Sequence, residues 1–302
     1  MDWFEPMEPI LTDSIMKGEQ WIHQVKWDGI RGLCYKDGNS VHIYTKSGRE
    51  RSQWYPEVTG RIMQLNCRQA VFDGELIVLD DSGRPSFHDM MSRDRVKRQD
   101  RLKKYIEKYP VQYMVFDILY KDGEDLRKSP LSERRKILLE TLKSDGPVQV
   151  VSDYTDGEAL FLSMKEMDME GIVSKKADSP YVGGKKHRMW FKTKIIKKLI
   201  AVVCGLKIKD NEVKSLVIAE YQNGSLVPIG SVSSGLSGKD RMILLKALPQ
   251  LKQYTPLFKN TGEVIWIKPV LNVIVSFIER EQNGSLRHPV LVGFTDESPK
   301  RV

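Results

Sequence analysis

The 302-residue chain contains only three cysteines, Cys34, Cys67 and Cys204, odd in number and widely spaced. A disulfide framework and the paired spacing of a zinc site are thereby excluded, and buried thiols are expected. Long hydrophobic runs are also missing. The longest apolar stretch, 199–206, is far shorter than the ~18–20 residues that cross a bilayer. Met1-Asp2-Trp3-Phe4-Glu5 does not read as a signal peptide, so a cytoplasmic protein is expected. No internal repeat or low-complexity segment occurs, and 40% of residues are hydrophobic, which excludes fibrous and disordered classes. A chain of this length suits two domains of about 100–200 residues, each with a core.

Charge is plentiful and uneven. Lysine and arginine number 48 against 40 acids, a net +8, with a pI near 9.2. Residues 1–194 hold 33 basic and 31 acidic residues, whereas 195–302 hold 15 and 9. Most of the excess therefore lies in the C-terminal third. The run 185–198 carries Lys185, Lys186, Arg188, Lys192, Lys194, Lys197 and Lys198 without one acid. Such a run suits a polyanionic partner or a solvated surface.

Patterning places the elements. Trp21-Ile22-His23-Gln24-Val25-Lys26 reads as a strand, and 31–35 and 40–45 pair around Lys36-Asp37-Gly38-Asn39, a hairpin turn. Runs 71–79, 111–119, 170–175 and 189–194 are further strands, and 93–108 is basic helix or loop. Ser129 with Pro130 should open a helix to about residue 143, and Asp156 should cap another whose Leu160, Met164 and Met167 form core. Beyond residue 198 short strands follow at 199–207, 213–221, 225–233, 263–268, 270–280 and 285–293, with one helix near 238–250. That texture predicts a small β-barrel.

The most specific string is Lys26-Trp27-Asp28-Gly29-Ile30-Arg31. It resembles the K-x-D-G-x-R motif of nucleotidyltransferases that adenylylate their own lysine, among them ATP-dependent DNA ligases, RNA ligases and mRNA capping enzymes. Further motifs follow in family order: Phe72-Asp73-Gly74-Glu75-Leu76, Tyr113-Met114-Val115-Phe116-Asp117, Glu170-Gly171-Ile172-Val173-Ser174-Lys175 and Trp190-Phe191-Lys192-Thr193-Lys194. Ile267-Lys268-Pro269 and Ser285-Leu286-Arg287-His288-Pro289 further resemble the oligonucleotide-binding barrel of bacterial end-joining ligases of the ligase D type. The resemblance implies an α+β nucleotidyltransferase (adenylation) domain over 1–196 and a small all-β OB-fold barrel over 197–302.

Chemistry explains the residue types. An amine attacking the α-phosphorus of ATP must be neutral, so Lys26 as nucleophile needs cationic neighbours. By resemblance Lys175, Lys192 and Lys194 surround the α-phosphate, Lys192 and Lys194 as catalytic groups, and can neutralise charge in the transition state. Glu75 and Glu170 are hard oxygen ligands suited to Mg²⁺, or Mn²⁺ in its place. The resemblance makes Glu170 the principal metal carboxylate, sets Glu75 and Arg31 on the ribose, and stacks Phe116 on adenine. Asp28 orients Lys26 or a metal-bound water, or is structural. Gln24 stands where end-joining ligases usually have glutamate and can still hydrogen-bond the adenine amino group or the backbone. Lys46 replaces the arginine of a Ser-Arg-Asn-Gly string, a point charge instead of a fork. The sixth motif is degenerate: Thr295, Glu297 and Ser298 stand near its Arg, Asp and Lys positions, with Lys300 and Arg301 as the nearest substitutes.

The resemblance implies an ATP- and Mg²⁺-dependent DNA ligase sealing nicked duplex DNA in bacterial repair or end joining, and a cytoplasmic, nucleoid-associated monomer is expected. Lys185, Lys186, Arg188, Lys197 and Lys198 would meet DNA phosphates. End-binding and polymerase proteins acting in trans are left open. The alternatives are an RNA ligase of the same superfamily and a catalytically weak nucleic-acid-binding relative. An NAD-dependent ligase is disfavoured, because its extra N-terminal domain and four-cysteine zinc site have no counterpart.

Overall fold

The computed structural model describes residues 3–259, 263–281 and 283–299. The chain divides into two compact units, Met1–Ile195 and Ile196–Val302. Strands of the first are β1 (Glu8–Leu11), β2 (Trp21–Val25), β3 (Ile30–Asp37), β4 (Ser40–Thr45), β5 (Gln69–Val78), β6 (Val111–Lys121), β7 (Glu124–Asp125), β8 (Val148–Val150), β9 (Gly171–Lys176) and β10 (Lys186–Lys194). Its helices are α1 (Pro56–Met63), α2 (Phe87–Asp94), α3 (Leu102–Lys108), α4 (Leu131–Thr141) and α5 (Gly157–Glu166). The strands form a six-stranded sheet, β4-β3-β5-β6-β7 with β8 on β6, and a four-stranded sheet, β1-β10-β9-β2.

Strand alternation builds the layers. In β3, Cys34 faces a core shared with Tyr55, Ile62, Met90 and Leu138 of the helical side, while Leu33 and Tyr35 face the other way. There they meet Tyr181 and Trp190, so a second core lies between the two sheets. Helix α5 covers the outer face of the four-stranded sheet through Leu160 and Met164, which pack with Ile172 and Val25. Asp156 caps it as expected, accepting from the Glu158 and Ala159 amides at 3.0 and 2.9 Å. Met167 is not core: it follows the last helical turn and is 57% exposed, and Met169 packs instead.

Helix α4 departs from expectation at its start. Pro130 is the N-cap, and the Ser129 side chain makes no cap bond; the Ser129 carbonyl instead accepts from Arg134 at 2.6 Å. The buried Arg134–Asp117 pair anchors this turn, so tertiary contact replaces the local cap. Cys34 and Cys204 are buried, but Cys67 is only partly so.

In the second unit β11 (Lys197–Lys209), β12 (Glu212–Gln222), β13 (Ser225–Val232), β14 (Ile265–Phe277) and β15 (Val290–Thr295) form one sheet, β13-β12-β11-β14-β15. Its two edges close on each other: the Leu286 amide donates to the Ile229 carbonyl and that of Leu291 to the Ser234 carbonyl, each at 2.9 Å. The expected barrel is present, with α6 (Gly238–Leu251) beside it under a capping box of Ser237 and Asp240. Two boundaries differ. The runs divided at Pro269 are a single strand, because the register with β11 breaks between Trp266 and Leu271 and Pro269 lies within the break, where no ladder donor is needed. The last strand begins at Val290, later than the run 285–293 suggested. No helix among the described residues is long and apolar enough to cross a membrane.

Candidate active site

Three chain segments meet at the nucleophile. Lys26 directly follows β2, and its amide donates to the Gly171 carbonyl at 2.9 Å, extending the β2–β9 ladder by one bond. Gly171 pairs with Lys194 across β9 and β10. Its φ is +143°, and a Cβ there would lie 2.1 Å from the Thr193 carbonyl oxygen. Only glycine permits this approach. Glu170 is thus delivered between two lysines: Lys26 Nζ pairs with Oε2, and Lys194 Nζ with Oε1 at 2.7 Å. Burial works to raise the Glu170 pKa, but Lys26 and Lys194 outweigh it and hold the carboxyl below its ordinary range. Lys192 shares the Lys194 face of β10, two residues away, and its pKa is lowered by burial and by Lys26 and Lys194.

A pocket runs from these lysines between the sheets. The four-stranded sheet contributes Gln24, Lys175, Trp190 and Lys192, and the six-stranded sheet Arg31, Glu75 and Phe116. Arg31 is clamped by Asp73, with Nη2 to Oδ2 at 2.6 Å, and its guanidinium lies 4.4 Å from the centre of the Phe116 ring. Lys175 Nζ sits 4.1 Å from the centres of both Phe116 and Trp190 and has no hydrogen-bond partner among the described residues. Burial lowers its pKa to about 7. Lys192 and Lys194 neighbour Lys26, and Lys175 lines the same pocket against Phe116 and Trp190. Burial likewise raises Glu75 to about 7, with Lys26 and Arg31 pulling it down and Glu170 and Asp28 pushing it up. Lys46 Nζ pairs with Glu8 at 2.8 Å beside the pocket, and Lys192 and Lys186 add to the positive field on Glu8.

Gln24 is 2% exposed, and its Nε2 donates to Asp153 Oδ1 at 2.6 Å. Asp153 Oδ2 accepts from Arg135 Nε at 2.8 Å. Asp153, Arg135, Asp73, Trp190 and Glu8 escaped the assignment of site roles. Asp73 and Trp190 stand inside quoted motifs, where buried partners of motif residues can be sought, but Asp153 and Arg135 carry no local signal.

The basic run divides between the units. Lys185, Lys186 and Arg188 are exposed in the first; in the second Lys198 is exposed and Lys197 partly buried. In the sixth-motif segment the Glu297 amide donates to Thr295 Oγ1 at 3.1 Å. Lys300 and Arg301 lie outside the described residues.

The fold is that of a nucleotidyltransferase domain followed by an OB-fold domain. The chain belongs to the ATP-dependent DNA ligase family, matching the ATP dependent DNA ligase domain over residues 6–194 and the ATP dependent DNA ligase C terminal region over 209–298. It is 34% identical over 291 residues to the SPbeta prophage-derived DNA ligase-like protein LigB of Bacillus subtilis, covering 94% of this chain and 97% of that one. With the multifunctional non-homologous end joining protein LigD of Mycolicibacterium smegmatis it shares 32% identity over 299 residues, 95% of this chain and 37% of that protein. The solved mycobacterial DNA ligase D complexed with ATP and MES is 28% identical, with a TM-score of 0.56 over 98% of this chain and 96% of that one. The chain spans 37–57% of the length of the end-joining LigD proteins and the Thermococcus DNA ligases it matches.

Proposed function

We propose that this chain seals nicks in duplex DNA with ATP and Mg²⁺ in bacterial end joining or repair, in the cytoplasm. The observation that carries this reading is the pairing of Lys26 and Lys194 with Glu170, with Lys192 beside them, at one end of a pocket whose other end is aromatic. Lys26 Nζ attacks the α-phosphorus of ATP, loses a proton and displaces pyrophosphate. The AMP then passes to the 5′-phosphate at the nick, and the 3′-hydroxyl attacks that phosphate and releases AMP. Lys192 and Lys194 neutralise charge that builds on the transferring phosphoryl group. Arg31, held by Asp73, offers the ribose a pre-set fork.

A divalent ion suits Glu75, whose carboxyl makes no hydrogen bond among the described residues and would be drawn to its charged form by a cation. Glu170 is the second carboxylate, once the triphosphate competes for its lysines. The ion would supply charge neutralisation at the phosphates. Asp28 follows the nucleophile by two positions and adds negative charge there. The basic residues of the run 185–198 track the DNA backbone.

Incubation with α-labelled ATP and Mg²⁺ should leave one acid-labile AMP on the protein, and Lys26→Ala should abolish it together with sealing of a nicked duplex. Label that persists in Lys26→Ala would remove this mechanism. Label without sealing of nicked DNA, but with sealing of nicked RNA, would favour the RNA ligase.

A further inference from the structure

Gln24 lies two residues before Lys26, and so on the same face of the chain, about 6–7 Å further from the attacking amine. It lines the pocket toward Phe116 and Lys175 and pairs across the ladder with Val173. A carboxylate beside arginine can only accept, so the atom that Gln24 turns to Asp153 must be its amide nitrogen. The remaining atom, Oε1, takes no hydrogen bond from a described residue. Asp153 is itself held in place: Arg135 Nε binds its second oxygen, while Arg135 Nη2 and Nη1 bind the Val151 and Phe116 carbonyls at 2.5 and 3.3 Å. The Arg135 side chain is only 5% exposed.

We propose that Asp153 is a positioning residue for nucleotide choice: bridged to Arg135, it holds the Gln24 amide with its oxygen toward the base, so that the pocket accepts a 6-amino purine and refuses a 6-oxo purine. This rests on the reading above, that the pocket takes a purine nucleotide attacked by Lys26. An exocyclic amino group donates to Oε1, whereas a 6-oxo group would set two acceptors face to face at Gln24, itself only 2% exposed, and leave both unpaired. The same chain of bonds explains glutamine at this position. A glutamate would bring a second carboxylate against Asp153, and repulsion between the like charges would favour a proton on one of the two.

Asp153→Asn makes an asymmetric test. Arg135 can only donate, so the new amide must turn its oxygen to Arg135 and its nitrogen to Gln24. Gln24 then flips to accept, and presents its own nitrogen to the base. With α-labelled ATP and α-labelled GTP, the ratio of kcat/KM for labelling Lys26 should shift at least about tenfold in favour of GTP, chiefly through a higher KM for ATP. Gln24→Glu added to Asp153→Asn should restore the preference for ATP, because a carboxylate accepts from the new amide with one oxygen and from the base with the other. An unchanged ratio in a folded, labelling Asp153→Asn protein overturns the proposal, as does failure of the double variant to restore it. If Asp153→Asn does not fold, Gln24→Glu alone decides: beside Asp153 it should make KM for ATP rise with pH more steeply than in the wild type, and a pH profile that matches the wild type's overturns the role of Asp153. A wild-type chain that takes no label from ATP would instead sink the ligase reading.

Discussion

At the scale of single residues, the pocket holds two groups whose ordinary charge the surroundings oppose. Glu75 is raised by burial to about 7, above the ordinary carboxylate value of 4.5. Between those values the folded chain keeps a proton that the unfolded chain releases, so this contribution to stability declines as pH rises and is gone above about 7. Lys175 is lowered by burial to about 7, below its ordinary 10.5. Below pH 7 both states carry the charge and the folded state bears its full desolvation. From 7 toward 10.5 the folded state sheds the proton first and stability is regained. Together the two groups give the unliganded protein a stability trough near neutral pH. Lys175→Met should therefore raise Tm at pH 7 by about 3–8 °C, with the gain shrinking toward pH 10, while weakening ATP labelling. Thermal unfolding at pH 6, 7 and 9.5 checks this. A lower Tm at pH 7 would mean that the ring contacts of Lys175 outweigh its burial.

At the scale of elements, the chemistry depends on strand ends rather than strand middles. Lys26 leaves β2, Glu170 enters β9 and Lys194 ends β10, and the three are locked by the Lys26–Gly171 bond and the Gly171–Lys194 pair. Gly171 is the joint. Alanine there faces both a φ of +143° and a carbonyl oxygen 2.1 Å from its Cβ, so β9 and β10 would have to part. Gly171→Ala should lower stability by about 3 kcal/mol or more and cut Lys26 labelling at least about a hundredfold. Gly60→Ala is the matching control, since a Cβ there meets nothing within 4 Å in α1. Retained labelling in Gly171→Ala would show that the joint tolerates displacement. Pro269 teaches the converse: a residue that ought to divide a strand is absorbed where the register already slips.

At the scale of the whole molecule, positive charge is in excess, with a net +8 and an acid-free run at 185–198. Lys185, Lys186 and Arg188 are exposed, so nothing in their own unit sequesters them. Each phosphate contact that releases counterions contributes about 0.9 to the slope of log K against log salt. Replacing these three with alanine should weaken binding to a nicked duplex and reduce that slope by as much as about 2.7, readable by fluorescence anisotropy from low to moderate salt. An unchanged slope would make the run a solvated surface. Lys186 also contributes to the positive field on Glu8, which pairs with Lys46 at the pocket.

By itself the sequence determined most of the strands, the C-terminal barrel and the motif strings. These are local properties: alternation over a few residues, the left-handed φ of Gly38 and of Asn223-Gly224 in hairpin turns, and short strings whose chemistry can be named. It misplaced what neighbours in space override, as where Arg134 supplants Ser129 at the start of α4. Only the tertiary structure decided which groups meet. Lys26 and Glu170 are 144 positions apart, and Gln24 and Asp153 are 129 apart. Glu170 was legible as a carboxylate but not as the partner of two lysines, and Lys175 as a lysine but not as one buried between two rings without a hydrogen bond. Asp153 and Arg135 were not legible at all. Contacts across such separations leave no period in the chain, because they arise from the register of β2, β9 and β10 and the packing of one sheet on the other, which no single segment encodes.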